Sequence, residues 1–134
     1  MYRTMLSGKI HRATVTGADV HYVGSITIDA SLLEAAGIVP HERVQVVDVD
    51  NGARLETYVI PAPEGAGTIQ LNGAAAHLVA VGHRVIIMSY VQVDQEDVPC
   101  WRPRVVLVDE ANHIVEVRRG LPDGLYELPG MDEC

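Results

Sequence analysis

Residues 44–60 read VQVVDVDNGARLETYVI, and this stretch carries the clearest fold signal in the chain. Two strand-like runs flank Asp50-Asn51-Gly52, which is typical of two strands joined by a tight turn. An Asn-Gly pair readily supplies the two positive φ angles of a type I′ turn. We therefore predict a β-hairpin made of Val44–Val49 and Arg54–Ile60.

Other short apolar runs on either side of this hairpin predict further strands. They are Lys9–Thr16, Ser25–Asp29, Thr68–Leu71, Arg84–Val93, Arg104–Val108 and a weaker run, Ile114–Val117. A short helix is predicted over residues 29–37, because Ser31 and Glu34 have capping-box spacing and Gly37 is placed to end it. Residues 74–79 could form one or two helical turns. Many short strands with little helix indicate a small, mainly β barrel, whose topology the periodicity cannot name.

Composition limits the class of protein. The 134 residues fit one domain with an aliphatic core, since the chain has one Trp and no Phe. A net charge of −8 argues against a nucleic-acid partner. No apolar run is long enough to cross a membrane, and the start lacks the apolar core of a signal peptide. Cys100 and Cys134 form neither a CxxC motif nor a disulfide framework, which favours the reducing cytoplasm.

The end of the chain differs in composition from the rest. Beyond Arg118, five Gly or Pro residues interrupt any periodicity among several acidic residues. We predict a single domain over residues 1–118 and a disordered acidic tail over residues 119–134.

Gly24-Ser25 could carry latent chemistry. A serine hydroxyl can attack the carbonyl carbon of the preceding residue and convert the peptide bond into an ester. Gly24 would help, because it has no Cβ to obstruct the attack and tolerates unusual backbone angles. Taken alone, however, such a pair is most often an ordinary turn or the start of a strand.

Three blocks of sequence, taken together, resemble one known family. The first surrounds Tyr22-Val23-Gly24-Ser25, the second is Asn51–Tyr58, and the third is Asn72-Gly73-Ala74-Ala75-Ala76-His77. All three resemble the pyruvoyl-dependent aspartate decarboxylases, in register from Met1 to about Val117. The resemblance implies a double-psi β-barrel assembled as a homotetramer, with active sites between neighbouring subunits.

The same resemblance implies a covalent cofactor made from the chain itself. Autocatalytic cleavage would give a β chain of residues 1–24 and an α chain from residue 25, with Ser25 converted into a pyruvoyl group. The amine of L-aspartate would form a Schiff base with that group, lose CO2 and leave as β-alanine for pantothenate synthesis. A maturation factor is a possible further partner.

The resemblance also implies roles for individual residues. Cleavage would involve Gly24, Ser25 and Thr57, with His11 and Tyr22 in support. Substrate would be bound by Lys9, Arg54, Thr57, Asn72, Gly73, Ala74 and Ala75, with Tyr58 as the proton donor to the α-carbon. Arginine can hold a carboxylate through two parallel hydrogen bonds. A regular strand would place Thr57 on the face opposite Arg54 and Tyr58, so we predict a bulge near Thr57.

Other functions have weaker support in the sequence. The six histidines lack a recognised metal-ligand spacing, and Gly24-Ser25-Ile26 lacks the G-x-S-x-G pattern of a hydrolase nucleophile. The serious alternative is an unprocessed β-barrel that binds a small molecule or a partner without catalysis. Intact mass distinguishes the two, because only the enzyme would be found as two fragments.

Overall fold

The computed structural model of the chain describes residues 1–120 and is mainly β, as the sequence predicts. The strands of this part are β1 (Tyr2–Thr14), β2 (Gly17–Asp19), β3 (Ser25–Asp29), β4 (Arg43–Asp48), β5 (Arg54–Ala62), β6 (Ile69–Asn72), β7 (Arg84–Asp94), β8 (Arg104–Val108) and β9 (Ile114–Arg119). One α-helix, α1, spans Ala30–Ala36, and two 3-10 helices span Gly73–Leu78 and Val98–Cys100.

The strands form a sheet that closes on itself. Their order is β2-β6-β3-β5-β4-β7-β1-β8-β9. Only Val15 and Thr16 separate β1 from β2, so one nearly continuous segment joins the two sides of the sheet. The amide of Thr16 donates to the carbonyl of Ile69 at 2.8 Å, and the amide of Val15 donates to that of His83 at 2.8 Å. A barrel results, with β8 and β9 extending it beyond β1.

Aliphatic side chains fill the barrel. Fully buried members include Ile10, Ile26, Ile28, Val46, Val59, Leu71 and Ile87. They belong to six different strands. Burial of this apolar area is the main stabilising contribution to the fold.

The β4–β5 hairpin is confirmed, but the predicted type I′ turn is wrong. The connection spans residues 49–53, and within it only Gly52 has a positive φ, of 77°. Buried Asp48 explains the difference, because its Oδ1 accepts hydrogen bonds from the amides of Asp50 and Asn51 at 2.8 and 3.2 Å. The chain therefore wraps around one carboxylate instead of turning in two residues.

The start of α1 also differs from the prediction. Asp29, rather than Ser31, is the N-cap, and its side chain accepts a hydrogen bond from the Ser31 amide at 2.8 Å. The same carboxylate accepts from the amides of Gly65 and Gly67, at 3.1 and 2.8 Å, so it also anchors the loop before β6. The predicted end is confirmed, since Gly37 has a φ of 71° and closes the helix.

The bulge expected near Thr57 is wrong. The pairing of β4 with β5 runs without a shift from Arg43 opposite Tyr58 to Val47 opposite Arg54. Over this stretch β5 is paired with β4 alone, since β3 joins it only from Val59 onward. Register shifts occur instead in the pairing of β1 with β7.

The chain ends and the cysteines add three findings. β9 continues to Arg119, one residue past the predicted domain boundary, and the predicted tail beyond residue 120 lies outside the described residues. Cys100 is disulfide-bonded, so the expectation of reduced cysteines is wrong at this position. Over residues 1–120, no helix has the length and hydropathy needed to cross a membrane.

Candidate active site

Ser25 is the first residue of β3, and its side chain is fully buried. Its Oγ donates a hydrogen bond to the carbonyl of Val23 at 2.9 Å. It also accepts one from Nδ2 of Asn72 at 2.9 Å. The acceptor is the carbonyl one peptide before the Gly24–Ser25 bond, whose cleavage is predicted, so the hydroxyl lies on the same short segment as that bond.

Asn72 holds this serine in place. It pairs with Ser25 across the antiparallel β3–β6 ladder and is itself fully buried. Its Nδ2 also donates to Oγ1 of Thr27 at 2.9 Å, while its Oδ1 accepts from Nε2 of Gln70 at 2.8 Å. The amide orientation is thus fixed by three partners. From sequence, Asn72 was expected only beside the substrate, and its contact with Ser25 was missed.

Gly73 fixes the backbone on the other side of the bond. Its φ is 69°, and a Cβ at this position would lie 2.7 Å from the Cα and 2.9 Å from the amide nitrogen of Gly24. The same Cβ would lie 3.2 Å from the carbonyl oxygen of Tyr22. Around Gly24 itself, by contrast, no atom lies within 4 Å of the position a Cβ would take. The 22–24 segment is therefore packed on one side and open on the other.

Tyr58 of β5 lies at the level of Ser25 in the sheet. Ile26 pairs in parallel with Val59, so continuing the ladder by one residue places Ser25 level with Tyr58. Ile26 and Val59 are both fully buried inside the barrel. Since side chains alternate along a strand, Ser25 and Tyr58 both lie on the outer face.

Thr57 occupies the opposite face of β5, as a regular strand requires. It is half-buried and lies opposite Val44 of β4, whose side chain is in the core. The same parallel register, continued two residues beyond the Ile26–Val59 pair, sets Thr57 level with Gly24.

A contact with Tyr58 was not predicted from the sequence. The rings of His41 and Tyr58 stack with their centroids 6.5 Å apart and their planes 30° apart. His41 has a φ of 72°, which non-glycine residues rarely adopt. Its amide donates a hydrogen bond to the carbonyl of Val59 at 2.8 Å. This hydrogen bond stabilises the backbone conformation of His41 and holds its ring next to Tyr58.

The remaining predicted residues do not all meet Ser25 within one chain. Lys9 lies on β1, which is four strands from β3 in the sheet order and is not paired with it. Arg54 lies four residues before Tyr58, about 13 Å along β5. Ala74 and Ala75 follow Gly73 in the 3-10 helix, Ala74 exposed and Ala75 half-buried.

His11 also lies on β1, where it pairs with Leu107 of β8. Burial, followed by the nearby charges of Lys9 and Arg12, lowers the pKa of His11. Its Nδ1 is buried without a hydrogen-bond partner among residues 1–120. A neutral imidazole results, separated from Ser25 by the same strands as Lys9.

One group of side chains in the described part could hold a metal ion. Ligand atoms of Asp48, Asp50 and His83 lie within 4.8 Å of one another. Each already has a partner: Oδ2 of Asp48 contacts Nδ1 of His83 at 2.7 Å, and Oδ2 of Asp50 accepts from the Arg84 amide at 2.8 Å. The cluster is thus accounted for by the hydrogen bonds that shape the hairpin turn.

Comparison with known proteins identifies the family. Residues 1–115 match the aspartate decarboxylase family, and the chain belongs to it. The aspartate 1-decarboxylase of Carboxydothermus hydrogenoformans is 58% identical over 118 residues, covering 88% of this chain and 93% of that protein. That of Pelotomaculum thermopropionicum is 56% identical over 134 residues, covering 100% of this chain and 99% of that protein. That of Listeria monocytogenes is 57% identical over 114 residues, covering 85% and 90%.

Among solved structures, two designed double-psi β-barrel proteins are similar to this chain. One is 19% identical with a TM-score of 0.44, and the similarity covers 60% of this chain and 94% of that one. The other is 18% identical with a TM-score of 0.41, covering 65% and 99%. The family assignment rests on the sequence relatives and not on these scores.

Proposed function

We propose that this chain is made as a precursor, cleaves its own Gly24–Ser25 bond, and then decarboxylates L-aspartate to β-alanine and CO2. It is a carboxy-lyase that would supply β-alanine for pantothenate synthesis. Membership of the aspartate decarboxylase family supports the activity. The observation that carries the site is the buried Ser25 hydroxyl, held between Nδ2 of Asn72 and the carbonyl of Val23. The cytoplasm stays the predicted location.

Cleavage would begin at the Ser25 hydroxyl. Its Oγ attacks the carbonyl carbon of Gly24 and loses its proton, the C–N bond breaks, and the chain continues through an ester. Loss of the Ser25 Cα proton then breaks the Cβ–Oγ bond, so that Gly24 keeps both oxygens as a carboxylate. Residue 25 becomes dehydroalanine, which takes up water and releases ammonia to leave a ketone.

Neighbouring residues suit this reaction. The Asn72 amide fixes the Oγ that attacks, and the open side of Gly24 leaves room for the tetrahedral carbon. The Thr57 hydroxyl, level with Gly24 on β5, is proposed to donate to the oxyanion that forms there. Tyr22 and His11 are proposed in support, Tyr22 because its carbonyl packs near Gly73.

The mature site would need a group that stabilises negative charge on the substrate's α-carbon. A pyruvoyl group at residue 25 would supply it, by capturing the substrate amine covalently and drawing off the electrons released with CO2. The residues around position 25 fit such a group, because Nδ2 of Asn72 is a donor already directed at this side chain. Gly73, Ala74 and Ala75 leave space beside it for a small substrate.

Two kinds of group complete the reaction. Tyr58, on the outer face beside residue 25, is proposed to donate a proton to the α-carbon, since a phenol holds its proton at neutral pH. Arg54 and Lys9 are proposed to hold the substrate carboxylate.

The separation of these cations from Ser25 supports a site shared between subunits of a homotetramer. Because Arg54 lies about 13 Å along β5 from the level of Ser25, a neighbouring chain would have to bring it to the site. Co-assembly of Ser25→Ala chains with Arg54→Ala chains tests this. Each variant alone should be inactive, and mixed tetramers should regain part of the activity; no recovery would place both residues in one chain's site.

Denaturing mass spectrometry tests the proposed function itself. The native chain should give a fragment that ends at Gly24 and a second that begins at residue 25 and is lighter by one ammonia than a serine terminus. Ser25→Ala should remain intact and form no β-alanine, whereas Ser31→Ala, a matched control on α1, should cleave. Cleavage of the purified chain alone would show that no maturation factor is needed. Aspartate turnover by a chain with an intact Ser25 would overturn the proposal.

A further inference from the structure

Three of the nine arginines line one pocket that is built from other elements than those holding Ser25. The pocket has a volume of about 230 Å³. It lies between the end of α1, strands β1, β8 and β9, and the segment after the second 3-10 helix. Its lining residues are Ser7, Ala36, Gly37, Trp101, Arg102, Arg104 and Arg119. None is acidic, although the chain carries a net charge of −8.

Two of these arginines face each other directly. Arg104 of β8 pairs with Arg119 of β9 in the antiparallel ladder. Like charges opposite each other across two strands destabilise the pair. Neither guanidinium has a carboxylate within 4.0 Å among residues 1–120. Within that range, the ion pair made by an arginine is the one between Arg118 and Glu116. The positive charge of this cross-strand pair is therefore uncompensated by any described side chain.

The walls of the pocket are held in place by hydrogen bonds. Nε1 of Trp101 donates to the carbonyl of Leu6 at 2.7 Å. Nη1 of Arg102 donates to the carbonyl of Trp101 at 3.0 Å. Ser7 is the extra residue where the pairing of β1 with β7 shifts, and such bulges redirect a side chain out of the regular alternation.

We propose that this pocket binds a phosphate group, either inorganic phosphate or the end of a small phosphate ester. Guanidinium groups bind phosphate oxygens through paired hydrogen bonds, and a dianion offsets more of the Arg104–Arg119 repulsion than a monocarboxylate does. The Ser7 hydroxyl adds a neutral donor at the same pocket. This site is separate from the decarboxylase reaction and does not depend on it.

The single tryptophan of the chain provides the assay, since Trp101 lines the pocket. Its fluorescence is followed while sodium phosphate replaces sodium chloride at constant ionic strength. We expect a saturable change, with the dissociation constant raised about tenfold or more in Arg104→Gln and in Arg119→Gln, since each loses a charge-assisted hydrogen bond. Arg3→Gln makes the same charge change on an exposed residue away from the pocket and should bind normally.

Further measurements separate the outcomes. Circular dichroism verifies that each variant is folded, and phosphoethanolamine and succinate are titrated beside phosphate. Binding of phosphoethanolamine but not of phosphate would still support the site and would identify its ligand as an ester. No saturable change with either phosphate compound, equal weakening in Arg3→Gln, or succinate binding as tight as phosphate binding would overturn the proposal.

Discussion

Gly73→Ala tests whether the backbone contact beside the scissile bond is needed for cleavage. The added Cβ would lie 2.7 Å from the Cα of Gly24, which is about 0.7 Å closer than the 3.4 Å at which ordinary contact begins. The neighbouring atoms are backbone, so the 22–24 segment must shift. A shift of about 1 Å at a reacting centre can slow a reaction roughly 100-fold. We expect cleavage to slow by one to two orders of magnitude, about 10- to 100-fold.

The positive φ of Gly73 has a second effect that must be separated from the first. Alanine in this backbone region costs about 1–2 kcal/mol regardless of its neighbours. Gly52→Ala is the matched control, because Gly52 has a φ of 77° and no atom within 4 Å of its Cβ position. Both variants should lose similar stability in a denaturant titration, but only Gly73→Ala should cleave slowly.

Cleavage is followed by denaturing mass spectrometry during incubation after purification of the precursor. The rate is read from the decay of the intact mass, and unfolding is measured on the Ser25→Ala background so that processing does not interfere. If Gly73→Ala cleaved at the native rate, the contact with Gly24 would have no part in positioning the bond. If Gly52→Ala slowed cleavage equally, loss of stability would explain both results.

Three further predictions concern other parts of the site and fold. Asn72→Ala should destabilise the uncleaved precursor by about 1–3 kcal/mol in denaturant titration and slow its cleavage, because the buried Ser25 Oγ loses its donor; native cleavage would remove Asn72 from that role. Tyr58→Phe should cleave normally but decarboxylate roughly 10²- to 10⁴-fold more slowly, and an unchanged rate would exclude Tyr58 as the proton donor. The hydrogen bond to Asp48 raises the pKa of His83 above 6.5, so this pair should stabilise the fold most below pH 6.5 and progressively less as pH rises through the raised pKa. The difference in melting temperature between the native chain and His83→Gln should therefore become smaller as the pH is raised above 6.5. A difference that stays constant with pH would contradict this.

Strand positions were predictable where short runs rich in Val and Ile are bounded by turn residues. Ser25–Asp29 and Arg104–Val108 have the predicted bounds, since alternation and flanking turn residues mark both ends. β2 and the first half of β1 were missed, because Tyr2–Ser7 and Gly17–Asp19 are short or largely exposed and lack alternation. The pattern of apolar residues along a sequence indicates which strands are buried. These two segments are hydrogen-bonded to neighbouring strands but are not buried, so the pattern does not reveal them.

Turn details failed for a different reason. A buried carboxylate can satisfy several backbone amides at once, and the sequence does not show which aspartate is buried. Asp48 and Asp29 both do this. Asp48 forms the hairpin turn in place of the predicted two-residue Asn-Gly turn, and Asp29 caps the helix in place of the predicted capping box at Ser31. Likewise, the contact of Gly73 with Gly24 joins residues 49 positions apart, which no local pattern indicates.

The position of the bond at the first residue of β3 explains how one site could serve two reactions. Ser25 is anchored by β5 and β6, whereas Val23 on the other side of the bond is exposed by 66%. Before cleavage, Gly73 packs against Gly24, and this contact would position the scissile peptide for attack by the hydroxyl. After cleavage, the new carboxylate at Gly24 has no covalent link to β3 and repels an acidic substrate, so its departure would open residue 25 on the side that is already free of atoms. The anchored strand would then keep the ketone beside Asn72 and Tyr58 while the space left by Gly24 admits aspartate.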